Sequence, residues 1–500
     1  MIDPSLESPT FVLAIAGLVL AAAAIGTKLA SRAGVPTALL FIALGMVLGW
    51  HRAGEPTLLH FDQAYLVGNV ALALILFYGG LSTDLRRTRG VWGPSIALAT
   101  VGVLGVSMLI AAAAWLIIPG FRWERALVLG AVLGSTDAAS VLQILGAERL
   151  AGRIRQTVEL ESGLNDPMAF VLVAAFTGMA MGDGWSWWAV PTIAWQLAAG
   201  AAIGGAIGFL AIWAIRRFRE DTPEVYPAIS IALALASYGL ASMAHASGLL
   251  AVFITALTLG NARALPYRAT LVRFHAALAY LAQVLMFFVL GVLVAPADLA
   301  EPRTILGGVF LALLLAFVAR PIVVSLVLVP FGYSSREIAA VAWLGLRGAV
   351  PVILMTIPLI TAAGTPMMDS MQVMFNAVFF CVLVGSFLPG STVRWMMRFL
   401  RVRLPPAPRP SAALDLVTRS PLDATLAMLI VQPGAPIAGR TVGEAGLPGE
   451  VTIAMLIRGP RTERVRGDTR FEVGDEVALS MPEAMLPTMR ALFGERHDPH

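Results

Sequence analysis

Thr157-Val-Glu-Leu-Glu-Ser-Gly-Leu-Asn-Asp166-Pro-Met-Ala-Phe-Val-Leu-Val-Ala-Ala-Phe176 places an aspartate about halfway along a stretch long enough to cross a bilayer. The preceding apolar stretch has its own midpoint acid, Asp137, in Gly134-Ser-Thr-Asp-Ala-Ala-Ser140. A carboxylate in hydrocarbon costs roughly 2.5–3.5 kcal/mol on insertion scales. Two at one depth, on consecutive spans, point to work on an ion or a proton.

The rest of the chain agrees with that setting. Of its 500 residues, 58% are hydrophobic and 13% charged, and mean hydropathy is +0.80. Soluble chains carry about 25% charged residues, so this is a polytopic membrane protein. The net charge of +4 comes largely from arginines in short loops between apolar spans, which argues for topology and against nucleic acid. The single cysteine, Cys381, excludes a disulfide framework and a cysteine-held metal cluster. The first ten residues lack a basic n-region and a cleavage pattern, so the stretch from Phe11 reads as a retained span.

At about 20 apolar residues per crossing, the sequence predicts an all-α membrane domain of thirteen spans. They are Thr10–Ala30, Pro36–Trp50, Ala64–Leu81, Pro94–Ile118, Glu124–Ala147, Gln156–Met181, Trp188–Ile215, Val225–Ala244, Gly248–Gly260, Ala276–Val294, Thr304–Pro330, Glu337–Ile360 and Met371–Phe399. Alternate loops divide the Lys and Arg nineteen against four. The positive-inside rule then sets the N-terminus outside and the C-terminus in the cytoplasm. Thirteen spans divide as six, one and six, which makes the two halves inverted repeats. Span 5 (Gly134-Ser-Thr-Asp) and its counterpart span 12 (Leu344-Gly-Leu-Arg-Gly-Ala-Val-Pro351) are both interrupted mid-membrane, the strongest sequence pointer to a substrate site.

On span 6, Ser162 and Asp166 share one helical face, and Glu161 and Asn165 another. Pro167 frees a carbonyl one turn back. A hard monovalent cation wants such oxygens, and Thr136 and Asp137 of span 5 complete the expected shell. Arg320 in span 11 and Arg347 in span 12 supply charge balance. The expected pairing is Arg320 with Glu161, and Arg347 is assigned to the negative ends of the broken helices. Asp166 is then the group that exchanges a proton for a cation, one for one and without net charge movement. Glu159 reads as an interfacial partner of the Arg149/Arg153/Arg155 loop. His245 and His275 read as solvated loop-edge residues, and Gly200, Gly204, Gly205 and Gly208 as helix packing.

These motifs resemble the monovalent cation:proton antiporter-1 family of electroneutral sodium or potassium/proton exchangers, over roughly Phe11 to Phe399. Glu161-Ser-Gly-Leu-Asn-Asp166 matches its Glu-Ser-x-x-Asn-Asp signature, Ser135-Thr-Asp137 the unwound segment before it, and Gly345-Leu-Arg-Gly348 the crossing helix of the second repeat, preceded by Arg320-Pro. The resemblance implies that Asp166 binds the ion and the proton. It implies that Asn165 replaces a second aspartate of electrogenic relatives, that Thr136, Asp137, Glu161 and Ser162 line the site, and that the protein is a homodimer. It sets the protein in a bacterial inner membrane.

After Arg403 a proline-rich linker (401–422) leads to a small cytoplasmic α/β domain (423–500), with the membrane domain spanning 1–400. Ala424–Val431 and Val451–Arg458 read as strands, Gly474-Asp475 as a turn and Pro482–Phe493 as a helix. The stretch from Val431 to Pro448, with Phe471-Glu-Val-Gly-Asp-Glu-Val477, resembles the TrkA C-terminal module. That resemblance implies regulation, with a small-molecule ligand as the expected partner, and it favours K⁺. No Gly-x-Gly-x-x-Gly stands between a strand and a helix outside the membrane, so no resident cofactor is expected. Oxygen ligands suit Na⁺ and K⁺ alike, and the sequence leaves that choice open. The rival readings are a gated cation channel and an intramembrane aspartyl protease. The second fails because the presenilin-type Gly-x-Gly-Asp is replaced by Gly163-Leu-Asn-Asp166.

Overall fold

The computed structural model describes residues 37–49, 60–118, 120–136, 149–150, 152–183, 188–217, 222–262, 265–294, 301–345, 348–404, 425–459 and 461–494, with positions 14, 17–19, 21–23, 26 and 299. The chain divides into two compact units, a helical one and one built around the C-terminal sheet.

The helical unit runs α1 (Thr37–Gly49), α2 (Phe61–Ser82), α3 (Arg89–Ile117), α4 (Trp123–Val132), α5 (Gly152–Gly178), α6 (Ala189–Arg217), α7 (Val225–Met243), α8 (Gly248–Gly260), α9 (Arg268–Val292), α10 (Thr304–Phe331), α11 (Ser335–Leu344), α12 (Val350–Ala362) and α13 (Met368–Phe399). Among the described residues eight helices are long and apolar enough to cross a membrane, and α1, α8 and α12 are shorter apolar helices. Leu116, Trp188, Met243, Leu326 and Phe399 are all exposed. Large apolar side chains facing outward from many helices are what a lipid surroundings requires.

Helices in lipid gain little from hydrophobic exclusion of one another, so small residues that allow close backbone approach decide the packing. On α6 a Cβ at Gly200, Gly204 or Gly208 would collide with Ser247, Ala251 or Thr258 of the α8 hairpin, whereas Gly205 faces open space. Thr255 Oγ1 donates to the Gly204 carbonyl at 2.9 Å across that seam. Three of the four glycines read as packing residues therefore pack.

Two helix breaks and two distortions frame the site. α4 stops at Val132, and Gly134 to Thr136 leave the helix. α11 stops at Leu344, and the chain resumes helix at Val350. Five-residue π turns interrupt α3 at Leu98–Gly102 and α10 at Leu315–Ala319, directly before Arg320; the sequence carries no cue for either. α5 begins four residues earlier than expected. Its first turns are tied down by Arg153, which lies over the Tyr333 ring at 3.8 Å and donates to the Phe331 carbonyl at 2.8 Å. Glu159 bonds Arg155 one turn back at 2.8 Å.

One expectation fails outright. His275 is fully buried, with Nε2 2.7 Å from Ser230 Oγ and its ring 4.7 Å from that of Phe77. The span begins at Arg268, eight residues before the expected start, because its early arginines read as a loop. His275 therefore lies two turns inside a helix and is not solvated. His245 is exposed, at φ 53°.

In the second unit a four-stranded antiparallel sheet has the order β3 (Thr425–Ile430), β6 (Glu476–Met481), β4 (Thr452–Arg458), β5 (Arg461–Glu463). Leu429, Ile437, Leu456, Phe471, Val477, Leu479 and Phe493 form its core. Gly474 stands at φ 95°, a backbone only glycine adopts without strain, and delivers the chain into β6. The expected terminal helix is α14 (Leu486–Leu492), preceded by a 3₁₀ turn. A short pair, β1 (Arg149–Leu150) with β2 (Arg403–Leu404), belongs to the same unit. β5, β6 and this pair were not expected; three of them are two or three residues long, or polar, and lack the apolar alternation that marks a strand.

Candidate functional site

α5 is the spine of the site. Asp166 is 14 residues from Gly152 and 12 from Gly178, or about 21 and 18 Å along the helix. It is 5% exposed, Glu161 2%, and Asn165 is fully buried. Pro167 is accommodated within the helix and is itself buried.

Glu161 and Arg320 form a two-pronged ion pair: Nη1 to Oε1 at 2.9 Å and Nη2 to Oε2 at 3.1 Å. Both side chains are buried, so each satisfies a charge that lipid would not. Arg320 also reaches the Val341 carbonyl at 3.5 Å. Its guanidinium lies against Gly345, where any Cβ would strike Nε and the guanidinium carbon. Glycine at the α11 break thus leaves room for the arginine, a role the sequence motif alone does not reveal. A small cavity lies beside this arginine, lined by Leu315, Trp343 and Cys381 among others.

The irregular segment after α4 joins this pair to α5. Asn165 Nδ2 donates to Thr136 Oγ1 in a short hydrogen bond and to the Thr136 carbonyl at 3.2 Å. Ser162 Oγ donates to the same carbonyl at 3.1 Å, and Thr136 Oγ1 lies 3.5 Å from Glu161 Oε1. Asn165, Thr136, Glu161 and Arg320 therefore make one continuous polar chain across the interior. The Thr136 carbonyl is occupied here by two protein donors. An unwound carbonyl inside a protein must find donors, and Ser162 and Asn165 supply them. Asn165 Oδ1 and Ser135 Oγ are buried without a hydrogen-bond partner among the described residues. Asp137 and Arg347 lie outside the described residues. Among the described residues no group of three His, Cys, Asp or Glu side chains converges as a metal site.

A carboxylate buried at mid-helix in a lipid-facing bundle, on the same helix as the matched Glu161–Arg320 pair, is what a membrane transporter of small ions requires. The family model for the transmembrane sodium/hydrogen exchanger matches residues 17–399, and the chain belongs to that family. A TrkA-C domain follows at residues 426–494. The K(+)/H(+) antiporter NhaP of Alkalimonas amylolytica is 33% identical over 499 residues, covering 98% of this chain and 84% of that protein. The K(+)/H(+) antiporter NhaP2 of Shewanella baltica is 31% identical over 487 residues, covering 96% and 82%. Among solved structures, the sodium proton antiporter MjNhaP1 of Methanocaldococcus jannaschii at pH 8 has the same fold, with a TM-score of 0.66 over 78% of this chain and 99% of that one, at 21% identity. The chain is an integral membrane cation/proton antiporter and not an enzyme.

Proposed function

We propose that the protein exchanges one K⁺ for one proton, with Asp166 holding each in turn. The observation that carries this reading is the burial of Asp166 at mid-helix, five residues beyond a glutamate whose charge is matched by Arg320. A single carboxylate holds either a proton or a cation, never both at once. One group then alternates between two cargoes of equal charge, and the cycle moves no net charge. Ser162, Asn165, Thr136 and Asp137 surround the cation, while Glu161, Arg320 and Arg347 balance fixed charge. K⁺ is favoured over Na⁺ because the relatives matched over most of their length are named for it.

The matched distortions support an inverted repeat. The π turns of α3 and α10 fall in expected spans 4 and 11, and the helix breaks in spans 5 and 12, both seven spans apart. In this reading α4 and α11 are the first halves of two crossing helices within thirteen spans, with the N-terminus outside and the C-terminus in the cytoplasm of a bacterial inner membrane. The membrane domain (1–400) pairs with a second copy, and the tail (423–500), joined by the 401–422 linker, regulates it through a small ligand.

The test is a pH-reporting dye in everted vesicles, titrated with K⁺, Na⁺, Rb⁺ and Li⁺. Wild type is expected to dequench with half-saturation lowest for K⁺, regardless of an imposed membrane potential, and Asp166→Asn to show no exchange. Exchange that persists in Asp166→Asn overturns the assignment of Asp166, and a response to potential overturns the one-for-one stoichiometry.

A further inference from the structure

The site described so far has one wall, built by α5 and the two broken helices. α2 passes beside α5, and two contacts show how it lies. Near one end the Tyr65 and Phe170 rings stack, with centroids 6.4 Å apart. Near the other, a Cβ on Gly79 would touch the Phe253 ring at 4.0 Å, and one on Gly163 would collide with that same ring. The α2 segment 65–79 therefore runs past the α5 segment 163–170, which contains Asp166. Large rings bridge the helices at both ends of that interval.

From Leu66 to Phe77, α2 reads Leu-Val-Gly-Asn-Val-Ala-Leu-Ala-Leu-Ile-Leu-Phe, with Asn69 its sole polar side chain. Asn69 lies one turn from Tyr65, on the face that meets Phe170. Its neighbour Gly68 packs against Ile353 in the first turn of α12, just beyond the second helix break. Asn69 thus lies on α2 one turn from the Tyr65–Phe170 contact and next to the residue that meets α12.

Its hydrogen bonding is half complete. Asn69 is 3% exposed, and Nδ2 donates to the Tyr65 carbonyl at 2.9 Å. A carbonyl only accepts, so that bond fixes which end of the amide is nitrogen. Oδ1 is buried and without a hydrogen-bond partner among the described residues. An orphaned buried amide oxygen in an apolar helix is destabilising unless something else occupies it.

We propose that Asn69 is a cation ligand, its Oδ1 completing from α2 the shell that Asp166 begins from α5. A neutral amide oxygen suits this place. It offers a strong dipole to K⁺ without adding charge, so exchange of one cation for one proton stays balanced. The inference rests on the reading of Asp166 given above.

The test uses the full chain in everted vesicles at pH 8.5, with K⁺ titrated for wild type, Asn69→Ala, Asn69→Leu, Asn69→Asp and Asp166→Asn. Loss of one oxygen ligand is expected to raise half-saturation for K⁺ about tenfold in Asn69→Ala and Asn69→Leu, with maximal exchange held within about twofold. Asn69→Asp keeps the oxygen but cannot donate to the Tyr65 carbonyl when ionised, so a ligand role predicts half-saturation at or below the wild-type value. A purely structural role predicts that Asp is as damaging as Leu, and that result overturns the proposal. So does unchanged half-saturation in both Asn69→Ala and Asn69→Leu. If Asn69→Leu fails to accumulate, K⁺-dependent thermal stabilisation of Asn69→Ala and Asn69→Asp in detergent decides by the same ordering. Exchange surviving in Asp166→Asn is a separate failure, of the parent reading alone.

Discussion

Each unit of the molecule has an arginine paired with a buried carboxylate, and the two pairs differ in their surroundings. In the helical unit Arg320 and Glu161 are 6% and 2% exposed, and the guanidinium is walled in by Gly345. In the C-terminal unit Arg458 grips Asp475 with Nε at 2.8 Å and Nη2 at 2.7 Å, but the arginine is 33% exposed. It also holds Glu472 and the Arg470 carbonyl. Its bond to Asp475 raises the Arg458 pKa above the ordinary arginine value, so it is charged at every working pH. Water can reach the partly exposed Arg458, whereas packed helices offer none to Arg320. Loss of the pair is therefore expected to cost more in the helical unit than in the tail.

Breaking the membrane pair has the larger expected effect. Arg320→Ala or Glu161→Gln leaves a buried group unmatched and is expected to cost about 3–5 kcal/mol, read as lost accumulation and a lowered melting temperature in detergent. Removing both charges together, as Arg320→Met with Glu161→Met, is expected to recover much of that stability but not exchange. If the single and double variants are equally unstable, the pair is not what holds these helices. Gly345→Ala probes the same pair without touching a charge, by pushing the guanidinium aside; a cost of about 1–3 kcal/mol is expected. In the tail, Arg458→Ala is expected to cost about 1–3 kcal/mol, seen as faster hydrogen exchange in β4 and β6. A larger loss there than in Arg320→Ala would reverse the comparison.

Long, uniformly apolar helices were legible because lipid imposes a length and a composition on them. The partnership of Glu161 and Arg320 was legible as an expectation for the same reason: charges in hydrocarbon need a match. What the sequence hid was local. The occupied Thr136 carbonyl depends on how an irregular segment turns, which no spacing rule gives. Gly345 reads as a helix breaker, and its second use as space for Arg320 appears only when two distant segments meet. A lone amide in a long apolar run, as at Asn69, carries little pattern. Positive charges at the start of a helix look like loop, which hides the place of His275 inside α9.

The central claim is that cation and proton compete for one carboxylate, and the pH dependence of cation affinity tests it most directly. Half-saturation for K⁺ in reconstituted vesicles, measured from pH 6 to 9, is expected to rise about tenfold for each unit of acidification over the range in which Asp166 is protonated, with maximal exchange unaltered at saturating K⁺. Half-saturation that stays constant across that range would contradict the account, because the proton and the cation would then be bound by different groups.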